Sequence, residues 1–177
     1  QWTAPGTDRP FRYAGAAGPV TLPDSVRAAA ERALADLVAA TGLRGLVSAD
    51  LLVDGAAWWL LEVNPRPGAT LDLLDRGPVP LLAAHIAASR GRLPEALPIP
   101  AGAAAAEILY AEADIPAVPA LDWPGWTMDR PAAGSRVAAG APICTVMAEG
   151  ADAAAARHAL AVRSAALRAR LEKRPAD

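Results

Sequence analysis

A chain of 177 residues with a 53% apolar composition can bury one real core with a small second lobe beside it, and leaves little room for two full domains. A net charge of −2 without a basic cluster gives no electrostatic reason to expect a nucleic-acid or membrane partner. No apolar run of 18 residues and no signal-peptide layout occur, and Cys144 as the only cysteine rules out an intrachain disulfide, so a soluble, cytoplasmic protein is expected.

Alanine supplies much of the apolar share, which argues for helical stretches rather than a greasy interior. Sixteen of the seventeen basic residues are arginine, and the single lysine, Lys173, is expected to be solvated in the C-terminal tail.

In chain order, residues 1–23 are rich in glycine and proline and read as loop with short extended pieces. From Asp24, the spacing of Val26, Ala30, Ala33, Leu34, Leu37 and Val38 predicts a helix, with Asp24 or Ser25 able to cap its start and Gly42 able to close it. Leu46 to Val53 and Ala57 to Val63 are apolar extended runs around Asp54-Gly55, a strong turn signal, and should pair as an antiparallel hairpin. Pro65, Pro67 and Gly68 end the second strand, since proline offers no ladder hydrogen bond.

Leu81 to Ser89 reads as a short helix stopped by Gly91, and 94–102 as linker. Glu107 to Ala111 and Ala141 to Ala148 read as strands around a proline-rich loop bearing Trp123 and Trp126. Asp152 to Leu171 is a final helix with Leu160, Leu167 and Leu171 on one stripe. The expected fold class is α+β: an antiparallel sheet with flanking helices, a small β lobe and a C-terminal helix. The expected division is 1–91, a linker over 92–102, and 103–177.

The chemistry concentrates in the hairpin. Asp50, Glu62 and Asn64 interrupt otherwise apolar strands. Glu62 and Asn64 are two apart and share a face. If the register sets 50 opposite 62, or diagonal by two, all three oxygens converge; an odd register would split them. Such a trio suits Mg²⁺, a hard cation that fills its remaining positions with water and phosphate oxygens. Without a cation, two carboxylates pressed together would repel and one would have to hold a proton. Arg66, two residues on, would project toward the same mouth, where a guanidinium can grip a phosphoryl or carboxylate group. The competing account is the solvent face of a half-covered sheet. Against it, Leu60, Leu61 and Val63 beside Glu62, and Val47, Leu51 and Leu52 around Asp50, predict strands covered on both faces, where charges need a partner.

The motif Glu62-Val63-Asn64-Pro65-Arg66, preceded twelve residues earlier by Asp50 across the hairpin, resembles the C-terminal metal motif of the ATP-grasp superfamily, which includes biotin carboxylase and carbamoyl-phosphate synthase. The resemblance implies the C-terminal half of an ATP-grasp fold over 1–91. It implies Mg²⁺ (or Mn²⁺) held by Asp50, Glu62 and Asn64, with Glu62 and Asn64 serving the ATP cosubstrate through that metal and Arg66 acting at the reaction centre. Glu is commoner at the first acidic position, so Asp50 departs from the pattern with a shorter reach. The string Glu62 to Leu73, together with Phe11 to Pro19, further resembles an ATP-grasp subgroup of one-carbon metabolism that uses tetrahydromethanopterin-type cofactors. The family's phosphate-binding lysines and glycine-rich lid lie upstream of the matched segment. With no lysine before Lys173, the expectation is a missing N-terminal lobe or a partner chain. A homodimer is also admitted.

Several residues have blander readings. His85 and His158 lack a second ligand at i+4 and read as boundary or surface histidines. Cys144, beside Ile143 and Val146, reads as a small core residue. Of Trp58 and Trp59, at least one should be core. The spacing of Gly134 to Gly150 is similar to the small β region of carboxylase relatives, or to a carrier hairpin that would lack its lysine.

The leading expectation is an ATP-dependent carboxylate-amine (or thiol) ligase acting through an acyl phosphate on a small carboxylate substrate. The alternatives are a bicarbonate-phosphorylating enzyme of the carboxylase type and a non-catalytic scaffold or regulatory subunit that binds its partner through the loop from Trp123 to Trp126.

Overall fold

The computed structural model describes residues 1–4, 9–93, 97 and 100–172; the tail bearing Lys173 and part of the expected 92–102 linker lie outside these. The chain divides into two compact units, one made of residues 1–19 with 101–177 and the other of 20–100. The expected division had kept 1–19 with the hairpin; the structure pairs that stretch with the C-terminal part instead.

In the first unit, β1 (Trp2–Thr3), β2 (Tyr13–Gly18), β5 (Ala103–Tyr110), β6 (Thr127–Met128) and β7 (Pro142–Gly150) form an antiparallel sheet in the order β1-β2-β5-β7-β6. The helix α4 (Ala153–Glu172) packs on β7, β5 and β2. Two features seat the helix start. The backbone N–H of Ala155 donates to the Asp152 carboxylate at 2.8 Å, a side-chain cap. Gly150 lies so close to the first turn that a Cβ there would stand 2.4 Å from the Ala156 nitrogen.

Along α4, Ala156, Leu160 and Leu167 are buried against Leu109, Val118, Val137, Ile143, Cys144 and Val146. Leu171 packs at the margin, completing the expected stripe. The run of alanines from Ala103 to Ala105 is buried in β5, where small side chains let neighbouring layers close in. This sheet is the larger of the two, although the sequence reading had cast the region as a small lobe.

β2 lies in the stretch expected to be loop with short extended pieces, and Tyr-Ala-Gly-Ala-Ala-Gly carries no alternation of large apolar and polar residues that would mark it as a strand. Its strand is made by its neighbours: Gly15 to Gly18 pair with Glu107 to Ala104 of β5, and the Trp2 ring lies where a Cβ on Gly15 would go, at 2.5 Å. The tryptophans of the 123–126 loop pack against the core, as does Ile115. The surface that the scaffold reading needed from Trp123 and Trp126 is therefore turned largely inward.

The second unit holds α1 (Asp24–Thr41), the hairpin β3 (Ser48–Asp54) and β4 (Ala57–Asn64), α2 (Leu71–Leu74) and α3 (Leu81–Ser89). The helix α1 starts behind Pro23 without a side-chain cap, and Asp24 instead pairs with Arg27 at 3.1 Å. Gly42 ends it as expected, in a left-handed conformation with its N–H on the Val38 carbonyl at 2.9 Å. Of the predicted stripe only Val26 and Ala30 are fully buried. No described helix is long and apolar enough to cross a membrane.

Candidate metal centre on the hairpin

The β3–β4 register sets Asp50 directly opposite Glu62, and Ser48 opposite Asn64. Opposed residues of an antiparallel pair lie on one face, as do residues two apart, so Ser48, Asp50, Glu62 and Asn64 share a face. This is the convergent register, and a bulge limits it. Beyond Asp50 the pairing slips so that Leu51 faces Leu60, leaving Leu61 as the extra residue. The slip divides the hairpin into a polar mouth and an apolar tip, and bulges commonly re-aim side chains beside functional sites.

Asn64 donates its side-chain amide to the Glu62 carboxylate. Asp50 is half-buried and Glu62 exposed, and neither makes an ion pair with a basic side chain among the described residues. Two facing carboxylates with an amide alongside and no resident guanidinium fit a hard divalent cation. No third Asp, Glu, His or Cys joins them among the described residues, so a cation there would need the Asn64 oxygen and ligands from outside the chain to fill its shell.

Ser48 is the member that the sequence reading missed. The signal was present as alternation two residues before Asp50. The chain leaving β4 folds back over it, for a Cβ on Gly68 would stand 2.5 Å from the Ser48 hydroxyl. Arg66 is exposed at the same exit, and its Nη1 donates to the Pro67 carbonyl at 3.2 Å rather than to the carboxylates.

Coverage of the strands on both faces did not follow. Leu61 is 65% exposed and Trp59 50%, while Trp58 is half-buried, so neither tryptophan is core. The physical reason is the sheet itself: the hairpin is a separate two-stranded sheet with no third strand beside it in the described chain.

Residues with blander readings behave accordingly. His85 accepts the Leu46 backbone N–H on Nδ1 at 3.0 Å, holding the lead-in to β3, and Gly45 at positive φ gives the imidazole room. His158 is exposed. Cys144 is buried, and desolvation, followed by the charge of Asp129, pushes its thiol up to about 11, which leaves it protonated and inert near neutrality.

Residues 2–70 match the model of the ATP-grasp domain family. No curated protein matches the sequence. Among solved structures, the chain is similar to Kluyveromyces lactis urea carboxylase, with a TM-score of 0.68 and 17% identity over 93% of this chain and 17% of that one. It is also similar to glycinamide-RNase-transformylase T from Mycobacterium tuberculosis, with a TM-score of 0.60 and 19% identity over 89% of this chain and 41% of that one. Phosphoribosylamine–glycine ligase from Thermotoga maritima gives 0.60 and 19% over 86% and 42%. The chain thus spans less than half the length of each of these proteins, and at these identities the likeness is one of fold. Residues 2–70 thus carry the match to the ATP-grasp domain family, and the chain shares its fold with these solved structures.

Proposed function

We propose that the hairpin mouth is the metal-binding end of an ATP-dependent ligase site, with Asp50, Glu62 and Asn64 as protein ligands to Mg²⁺ or Mn²⁺. The observation that carries this reading is the direct opposition of Asp50 and Glu62, which any odd register would have destroyed. Bound there, the cation would offset charge on the ATP phosphates. The two carboxylates fix its position, and Asn64, held against Glu62, keeps that carboxylate oriented. Arg66 supplies the nearest guanidinium along the chain. Turning from the Pro67 carbonyl toward the mouth, it would stabilise the oxygens of a transferring phosphoryl group.

The reaction class proposed is carboxylate-amine (or thiol) ligation through an acyl phosphate, in a cytoplasmic enzyme that draws its lysines and lid from an N-terminal lobe or a partner chain. Membership of the one-carbon subgroup is part of the same proposal and rests on the strings Phe11 to Pro19 and Glu62 to Leu73. A bicarbonate-phosphorylating reaction is the second reading, favoured by the urea carboxylase fold covering more of this chain than the two other neighbours do.

Titrating Mn²⁺ into the protein and following paramagnetic broadening of backbone amides tests the ligand set. Broadening centred on residues 50, 62 and 64, lost in Glu62→Ala, is expected. Broadening elsewhere, or unchanged in that variant, overturns the assignment. In the active enzyme, Glu62→Ala should abolish ADP release, and ADP release that needs bicarbonate and no amine would select the second reading.

A further inference from the structure

A cavity of about 340 Å³ opens in the unit formed by residues 1–19 and 101–177, and nothing in the metal-centre reading uses it. Its volume falls within the range of small-molecule pockets. Arg12, Glu107, Tyr110, Glu112, Arg168 and Trp2 are among the side chains that line it.

The charges on its wall are unequally satisfied. Arg168 is committed, with Nη1 2.9 Å from the Glu112 carboxylate and 3.1 Å from the Tyr110 carbonyl. Arg12 is not. Its guanidinium carbon lies 4.0 Å from the centre of the Tyr110 ring, and Nη1 donates to the Gly140 carbonyl at 2.8 Å. Its Nε is buried without an acceptor, and no carboxylate pairs with it among the described residues. Stacking on tyrosine and a carbonyl contact hold the plane of the guanidinium in place while leaving its charge uncompensated, which is how a fixed anchor for a carboxylate is built.

Glu107 is the complementary case. The Ser164 hydroxyl donates to its carboxylate, which fixes the group against α4, but no basic side chain neutralises it among the described residues. The cavity therefore presents one uncompensated positive group and one uncompensated negative group, both held by neighbours, on a wall partly covered by the Trp2 and Tyr110 rings.

We propose that this cavity binds a small zwitterion of the α-amino-acid class, its carboxylate on Arg12 and its ammonium facing Glu107. Neither charge alone selects such a ligand; the pair does, because a simple anion leaves Glu107 unpaired and a simple amine leaves Arg12 unpaired.

The test is a titration of the full chain, followed by the indole N–H resonance of Trp2, with glycine, L-alanine, L-valine and L-glutamate as probes. Propionate and ethylamine serve as the single-charge controls for alanine. Expected is a saturable shift with at least one amino acid and at least tenfold weaker binding of both controls. Arg12→Met and Glu107→Gln should each weaken that amino acid tenfold or more. The glutamine still accepts from Ser164, so Glu107→Gln decides the matter where Arg12→Met fails to fold. A Trp2 resonance indifferent to all four amino acids, a control that binds as tightly as alanine, or a folded Glu107→Gln with undiminished affinity overturns the proposal. The titration needs no metal and no nucleotide, so its failure would leave the hairpin assignment untouched.

Discussion

The two units bury their apolar residues very differently. In the unit built on α4, Leu109, Val146, Leu160 and Leu167 are at most 2% exposed, although the strands around them are largely alanine and glycine. In the unit holding the hairpin, the greasiest strand of the chain leaves Leu60, Leu61 and Trp59 open, and Leu74, Leu82 and Ile86 on its helices are open as well. Large apolar side chains therefore mark strand propensity here, not burial. What buries a strand is a layer packed against it, and a two-stranded sheet is marginal without one.

The largest expected effect separates the units by their cores. Leu160→Ala should cost about 2–5 kcal/mol in denaturant unfolding, the range for emptying a packed leucine site. Leu61→Ala, in the open tip of the hairpin, should stay within about 0.5 kcal/mol. Equal costs would show that the hairpin is covered in solution and would erase the contrast.

Next in size, Gly150→Ala drives a methyl group into the first turn of α4 and should destabilise by about 1–3 kcal/mol. At Gly55 in the hairpin turn, a Cβ meets nothing within 4 Å, so the only charge against Gly55→Ala is its positive φ. That cost should come to about 1 kcal/mol, again by denaturant unfolding.

Cys144 sharpens the comparison through pH. Its folded-state thiol sits at about 11 against an ordinary 9.0, so burial favours the neutral form. The stability linked to that thiol is fully present below pH 9 and is lost as pH rises toward 11. Unfolding midpoints across that window should fall more steeply for the native chain than for Cys144→Ala; parallel curves would remove Cys144 from the core.

The smallest effect is at Asp114, which accepts the Ala139 N–H at 2.8 Å and pairs with Arg136 at 2.7 Å. Those contacts, the backbone bond first, hold its carboxyl below the usual range, so its contribution is present at neutral pH and is lost as pH falls through the lowered value. Asp114→Asn should flatten the acid limb of the stability curve slightly and leave the neutral plateau nearly unmoved. An unchanged acid limb would exclude it.

The candidate site was legible as far as local rules reach. Alternation put Glu62 and Asn64 on one face, and Asp54-Gly55 announced the turn, but whether Asp50 met Glu62 hung on the register. That register is set by the bulge that leaves Leu61 unpaired, and no residue in the run announces a bulge. The same limit hid β2, whose strand exists because β5 pairs with it, and the inward turn of Trp123 and Trp126, which depends on β7 and α4 arriving from later in the chain.

The sequence by itself determined the three longer helices, the hairpin and the acidic and amide side chains two residues apart on one strand face, because helix periodicity, turn chemistry and strand alternation are properties of neighbours along the chain. Only the tertiary structure decided the partner of residues 1–19, the exposure of the hairpin's apolar strand and the meeting of Arg12 with Glu107 around one cavity. Those outcomes depend on contacts between segments far apart in the chain, 128 residues for Arg12 and Gly140, whose formation rests on complementary shape and loop closure rather than on any local pattern.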